Sequence, residues 1–480
     1  MTESMNEQSR PPYGIISVLM IGAFIAFLNN TLLNIALPSI MDDLNVNAAT
    51  VQWLTTGFML VNGVLVPMSA FLIQKYSVRR LFLVAMGIFA LGTVVAGMAQ
   101  IFPLLLTGRM LQAGGTAIMM PLLMNVMLVS FPIEKRGTVM GMFGMIMMAA
   151  PAIGPTLSGW IVEHYEWRML FHFVWPIALT IFGLGFLLLK DKKEKVNLKL
   201  DLVSLVLSTV GFGGVLFGFS SAGNAGFDSP RVYLPIVIGV IALVTFIRRQ
   251  NGQEKPMLNF GVYRYPMFAL SSAISMVLNM AMFSGMLLLP IYVQTIRGIS
   301  PMDAGLMLLP GALVMAFMSP VTGRLFDKFG GRMLAIVGLT IMVVTTYQFS
   351  VLTTETPYFY LMTLHAVRMF GITMVMMPVS TNGLNQLPRK FYPHGTAMNN
   401  TLNQLSGAIG TALLVTIMSI QTERYTTSMG QETSSGNGVN LLAMLEGIND
   451  AFFVATCIAI VALGLSFFIK RARPADEEEK

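Results

Sequence analysis

Arg109 and Arg368 each stand inside a long apolar run, 103–130 and 358–384. A charged side chain at the centre of a bilayer costs roughly 2.5–3.5 kcal/mol on insertion scales, so such a residue faces a cavity or a partner. Gly108, Gly114 and Gly115 flank Arg109 and let a neighbouring backbone come close. His365 lies one turn before Arg368 and, unperturbed, titrates near neutrality, which makes it either a proton carrier or a hydrogen-bonded packing residue. Asn29, Asn30 and Asn34 are spaced to line one polar wall, and Gln112 follows Arg109 by one turn. These amides are candidates for a substrate cavity, or they bond only to each other.

A second kind of chemistry is mechanical. Gly154 and Pro155 interrupt a helical ladder and Gly159 closes the same run, while Gly137, Gly141 and Gly144 form a small-residue face for close helix packing. The run 323–332, with Gly323, Asp327, Gly330 and Arg332, reads as a charged loop that makes and breaks contacts with neighbouring helix ends. A degraded copy, Ala70 to Arg80, stands at the equivalent point of the first half. The competing reading is that these charges only fix topology.

Other chemistries are excluded. Gly211, Gly213 and Gly214 lie in an apolar run with no strand before them, so they are no dinucleotide site. There is no phosphate-binding loop with lysine. Four scattered histidines and one cysteine offer no metal cluster, and no cofactor or metal is expected. Scanning the acidic residues finds none clearly at mid-membrane depth. No run carries a catalytic constellation, so the chain does not read as an enzyme.

The elements that hold these residues follow from composition. The 480 residues are 55% hydrophobic and 11% charged, with mean hydropathy +0.69. Soluble domains carry about 25% charged residues, so this chain has too few to cover a water-facing surface. Apolar runs near 15–38, 51–73, 80–99, 103–130, 138–162, 168–189, 202–222 and 232–248 predict membrane helices of about 20 residues. Others lie near 267–293, 303–322, 333–353, 358–384, 395–420 and 449–469. The expected fold is an all-α polytopic membrane protein with 14 transmembrane helices. All but six of the 30 Lys and Arg then fall on one side if both termini are cytoplasmic, as the positive-inside rule requires. This also accounts for the net charge of +7 without nucleic acid. Trp53, Trp160 and Trp167 are expected in an aromatic belt at the outer boundary. No removable signal peptide is expected in the polar first fourteen residues. The domain reading is a cytoplasmic tail 1–14, a six-helix bundle 15–189, a basic linker with two inserted helices 190–249, a second bundle 250–470 and a cytoplasmic tail 471–480.

Several segments together resemble the fourteen-span drug:proton antiporter branch of the major facilitator superfamily. They are Leu28 to Pro38, Gly108 to Gly115, Gly154 to Gly159 with Trp167-Arg168, Pro290 to Pro310, and Gly323 to Arg332. The likeness covers nearly the whole chain and is nearest to the lincomycin-resistance type of exporter in Gram-positive bacteria. It implies a monomer in the bacterial cell membrane that exports lipophilic or lincosamide-type molecules in exchange for protons by alternating access. It also implies coupling through Arg109 and an antiporter gate at Gly154, Pro155 and Gly159. The branch commonly has an aspartate where Asn29 stands, and a neutral amide cannot carry a proton. Forty methionines, clustered at Met145, Met147 and Met148 and at Met374, Met376 and Met377, suit an adaptable apolar pocket or a lipid-facing surface. Partners are then small-molecule substrates, protons and membrane lipids. Export of an endogenous metabolite, lipid or signalling molecule stays open, as does a non-transporting receptor or scaffold.

Overall fold

Apolar runs with no strand-like alternation satisfy their backbone groups in lipid by coiling into helices. In the computed structural model, residues 13–46, 48–51, 53–190, 201–430 and 436–472 are described, and among them no strand occurs. The first half consists of α1 (Tyr13–Leu44), α2 (Trp53–Lys75), α3 (Val78–Gly97), α4 (Phe102–Ser130), α5 (Ile133–His164) and α6 (Met169–Leu188). Then come α7 (Leu202–Ala225) and α8 (Pro230–Asn251). The second half is α9 (Pro266–Ile291), α10 (Pro301–Phe329), α11 (Gly331–Gln348), α12 (Tyr358–Gln386), α13 (Tyr392–Gly430) and α14 (Gly436–Ser466). Proline opens α8, α9 and α10, where the missing N–H has no intrahelical partner to lose.

Twelve of the helical spans are long and apolar enough to cross a membrane among the described residues, fewer than the fourteen expected. The two others, α5 and α9, run 32 and 26 residues but contain positions whose side chains lie outside the described residues. Several helices outrun their apolar cores. The 39 residues of α13 span about 58 Å at 1.5 Å per residue, so it projects well beyond a hydrocarbon layer. Likewise α14 begins at Gly436 rather than at 449, so its candidate span Leu441–Ser466 takes in Glu446 and sets Asp450, at the edge of the run 449–469, further from its end.

The run 323–332 is also corrected. It is not a loop, because α10 continues to Phe329 and α11 starts at Gly331. The break is Gly330 alone, at φ +78°, a conformation that a Cβ would strain, with its N–H bonded back to Phe326 O at 2.8 Å. At the matching point of the first half, Ser77 caps α3 by accepting from Arg80 N.

Helices α1 to α6 share a core around Leu19, Phe82, Phe89 and Phe171. It runs on into Phe268, Leu384 and Tyr392 of the second half, all at the end where the basic inter-helix segments gather. Helices α7 and α8 pair with each other, and α7 leans on α2 and α13. The outer face of α8 exposes Leu234, Val237, Ile238 and Ile241, a surface for acyl chains. Trp53 and Trp160 are exposed, as a belt would have them. Trp167 is not, being buried with its Nε1 donating to Asp43 Oδ2 at 3.1 Å beside the Arg168–Asp43 ion pair at 2.8 Å.

Candidate functional site

Arg109 is completely buried in α4. Its Nη1 donates to Gln112 Oε1 at 2.9 Å, its Nη2 to Asn30 Oδ1 at 3.0 Å, and its guanidinium lies 4.4 Å from the Phe58 ring centre. Gln112 stands three residues on, hence on the same helix face. Its Oε1 also accepts from Asn29 Nδ2 at 2.9 Å, and its Nε2 donates to Thr93 Oγ1 at 2.8 Å on α3. Asn29 serves as a donor here, a role that an ionised carboxylate at this position cannot fill. Arg109 Nε has no partner among the described residues. The side chain of Asn34 lies outside the described residues.

Arg368, equally buried in α12, repeats this plan with different groups. Its Nε donates to Thr346 Oγ1 at 3.1 Å on α11 and its Nη2 to Ala281 O at 2.7 Å on α9. A Cβ at Gly285 would fall 1.7 Å from Arg368 Nη1, so only glycine leaves room for the guanidinium. Each arginine therefore sits on the fourth helix of its half and ties together the first and third. His365 is buried against Gly311 of α10, and its Nδ1 has no partner among the described residues.

The halves meet at the basic end. The Asp327 carboxylate accepts from Gly137 N at 2.8 Å, Thr138 N at 2.8 Å and Thr138 Oγ1 at 2.6 Å, close to the N-terminus of α5, where the helix dipole favours an anion. Gly137 and Gly323 face each other so closely that a Cβ on Gly323 would lie 2.2 Å from Gly137 O. Arg136 Nη1 donates to Asn385 Oδ1 at 3.1 Å and to Tyr392 OH at 2.9 Å. At the position matching Asp327 stands Gln74, 3.2 Å from His394 Nε2. One side of the closure is thus a charged latch and the other a neutral contact. Arg471 donates to Asp327 O, and Arg332 is exposed on α11. The remaining hydrogen bonds between the halves among the described residues lie deeper, from Asn400 to Met124 and from Gln404 to Asn62. The molecule is closed at its basic end.

The 154–159 segment lies elsewhere. A Cβ at Gly154 would meet Thr31 Oγ1 at 2.2 Å, and Ser158 Oγ donates to Leu32 O, so this part of α5 packs on α1 within its own half. Gly159 faces open space, and the side chain of Pro155 lies outside the described residues. The contact of α5 across the halves is instead made by Gly137, Gly141 and Gly144.

Sequence reasoning missed a polar cavity below the latch, between α4, α5, α9, α12 and α13. Asn279, Ser275, Asn399, Ser380 and Asn403 line it, with Met124, Met376 and Met377. Asparagines at 399, 400 and 403 in an apolar run are the signal that would have found it. Asp450 was missed too. It is half-buried, accepts from Gln421 Nε2 at 2.7 Å and Tyr425 OH at 3.3 Å, and lies deeper in its span than Glu446.

Residues 19–411 match the family model described as Major Facilitator Superfamily. The chain belongs to the major facilitator superfamily. Within the superfamily it is 45% identical, over 98% of its length and 96% of the relative, to the uncharacterized MFS-type transporter YhcA of Bacillus subtilis (strain 168). It is 44% identical to the lincomycin resistance protein LmrB of the same organism, with 96% of each chain covered. The crystal structure of the human organic anion transporter MFSD10 shares the superfamily fold, with TM-score 0.68 at 14% identity, 95% of this chain and 99% of that one covered. The likeness to the lincomycin-resistance type is therefore upheld.

Proposed function

We propose that this membrane transporter is a secondary active exporter that expels lincosamide-type and other amphiphilic drugs in exchange for protons. All fourteen long helices cross the bacterial cell membrane in this reading, as two six-helix bundles, 15–189 and 250–470, around an inserted pair, with both termini cytoplasmic. The observation that carries it is the closure. Two halves with matching arginine centres are joined at one end by a small carboxylate latch above a polar cavity, the arrangement that rocking about a central site requires. The similarity to a lincomycin resistance protein supports drugs as cargo.

In this mechanism the latch opens toward the cytoplasm, substrate enters, and the halves close as in the structure. Arg109 and Arg368 hold three helices of each half as one body, so that motion is concentrated between the bodies. Protons are exchanged at groups other than Asn29. His365, buried beside Arg368, and Asp450, held by neutral donors, are the two candidates. An Asp whose partners are an amide N–H and a phenol keeps both when protonated, because the carboxyl oxygen left bare still accepts from the amide and the phenol oxygen can accept from the new hydroxyl.

The test is efflux of lincomycin from liposomes containing purified protein under an imposed pH gradient. Export that collapses when the gradient is dissipated supports antiport. Export that ignores the gradient would replace this reading with a facilitator.

A further inference from the structure

The cavity below the latch encloses about 40 Å³, room for about one or two water molecules. Its polar lining is neutral throughout. Asn279 Nδ2 donates to Asn403 Oδ1 at 3.0 Å and to Ser275 O at 2.7 Å, and Asn399 Nδ2 donates to Ser380 Oγ at 2.7 Å. Ser275, Asn279, Ser380 and Asn399 are all more than nine-tenths buried. Ser275 Oγ has no partner among the described residues, although it borders the cavity. A buried hydroxyl left unpaired is a standing penalty that a ligand group can relieve.

The surrounding charge points the same way. Among the described residues no Asp or Glu side chain is buried, whereas Arg109, Arg136 and Arg368 are. No acidic side chain among the described residues lines the cavity, so a permanent cation entering it would lose its water with no counter-ion in contact, the least favourable case for a desolvated ion. A neutral group with hydroxyls or an amide would find donors and acceptors, and the methionines on the other wall adapt to its apolar part.

We propose that this cavity is the polar subsite for substrates that are uncharged where they touch the protein and carry hydroxyl or amide groups, and that permanent cations are excluded. The proposal rests on the export reading above. The rocking motion opens the cavity to the size of a drug, and the structure shows it shut.

The full chain in lipid nanodiscs is tested for saturable binding of radiolabelled chloramphenicol, a neutral amide with two hydroxyls, and of tetraphenylphosphonium, a permanent cation. Chloramphenicol binds and the cation does not. Ser275→Ala removes a hydroxyl that has no partner among the described residues, so folding is retained while affinity for chloramphenicol falls about tenfold, the worth of one buried hydrogen bond. Asn279→Leu does the same or more, with thermal melting as the check on its fold. Equal binding of the cation, no binding of chloramphenicol, or wild-type affinity in both variants overturns the proposal. Gradient-driven flux of the cation alone would sink the substrate class yet leave export standing. Chloramphenicol binding without any gradient-driven flux would do the reverse.

Discussion

A guanidinium in lipid is tolerable only where its donors are used, and Arg109 uses them as a fork across Gln112 and Asn30. Lysine offers the same charge as a point and cannot span both acceptors. Arg109→Lys is therefore expected to reduce lincomycin flux at least about tenfold, and Arg109→Ala to abolish it with the protein still inserted. Wild-type flux in the lysine variant would show that charge alone suffices. For the proton, Asp450→Asn and His365→Ala are compared by the pH dependence of flux. The variant that keeps substrate binding but flattens the pH profile marks the carrier, and unchanged profiles in both would remove both from the mechanism. Buried charge was legible in the sequence because an arginine in an apolar run has few explanations. Its partners were legible only in part. Asn29, Asn30 and Gln112 stood out as amides, but Thr346, Ala281 and Gly285 are ordinary membrane residues until folding brings them to Arg368. Asp450 was overlooked because it stands at the very edge of the apolar run 449–469, and only the start of its helix at Gly436 moves it inward.

At the scale of elements, α5 and α10 approach through Gly137 and Gly323. Gly323→Ala forces the two backbones apart and is expected to weaken the closed state by about 1–3 kcal/mol, the usual cost of overpacking. Spin labels at Glu134 and Arg324 would report a longer mean distance, and an unchanged distribution would argue that the contact is slack. Asp327→Asn loses the charge of the latch and is expected to slow turnover more than it weakens binding; an unaltered transport rate would count against a gate. Outside the membrane, Asp201 caps α7 and accepts from Arg249 Nε at 2.8 Å, and this guanidinium, helped by Ser204 and Gln253, holds its carboxyl well below the usual carboxylate range. A depressed folded-state value means that the stabilisation is complete above the unfolded value of about 3.9 and is lost as pH falls through the folded one. Protection against hydrogen exchange at Ser204 and Leu205, taken relative to the intrinsic rate at each pH, should therefore hold steady down to about pH 4 and fall only below it, a response absent in Asp201→Asn. Helix identity was readable from apolar run length, whereas helix ends were not, since α13 and α14 are extended by polar turns that carry no hydropathy signal.

For the whole molecule, orientation and span count are tested together. Single cysteines at Lys255 and Lys390 should react with an impermeant maleimide only from the cytoplasmic side, and those at Asp228 and Glu355 only from outside, after replacement of the exposed Cys457. Labelling of Asp228 from the cytoplasm would mean that α7 and α8 do not both cross. The two-half plan was visible beforehand in the repeated 70–80 and 323–332 segments, but the inequality between them was not: a carboxylate grips a helix end on one side, while an amide meets a histidine on the other. That inequality has a genetic consequence. Most of what the first half gives to the charged latch is main-chain N–H, joined by the Thr138 hydroxyl. Side-chain replacements at 137 and 138 leave those N–H groups in place, except for proline, which deletes one. A collection of loss-of-function point mutants would accordingly be lopsided, crowding at codon 327 and recovering from its partner chiefly prolines and residues too large for the helix crossing.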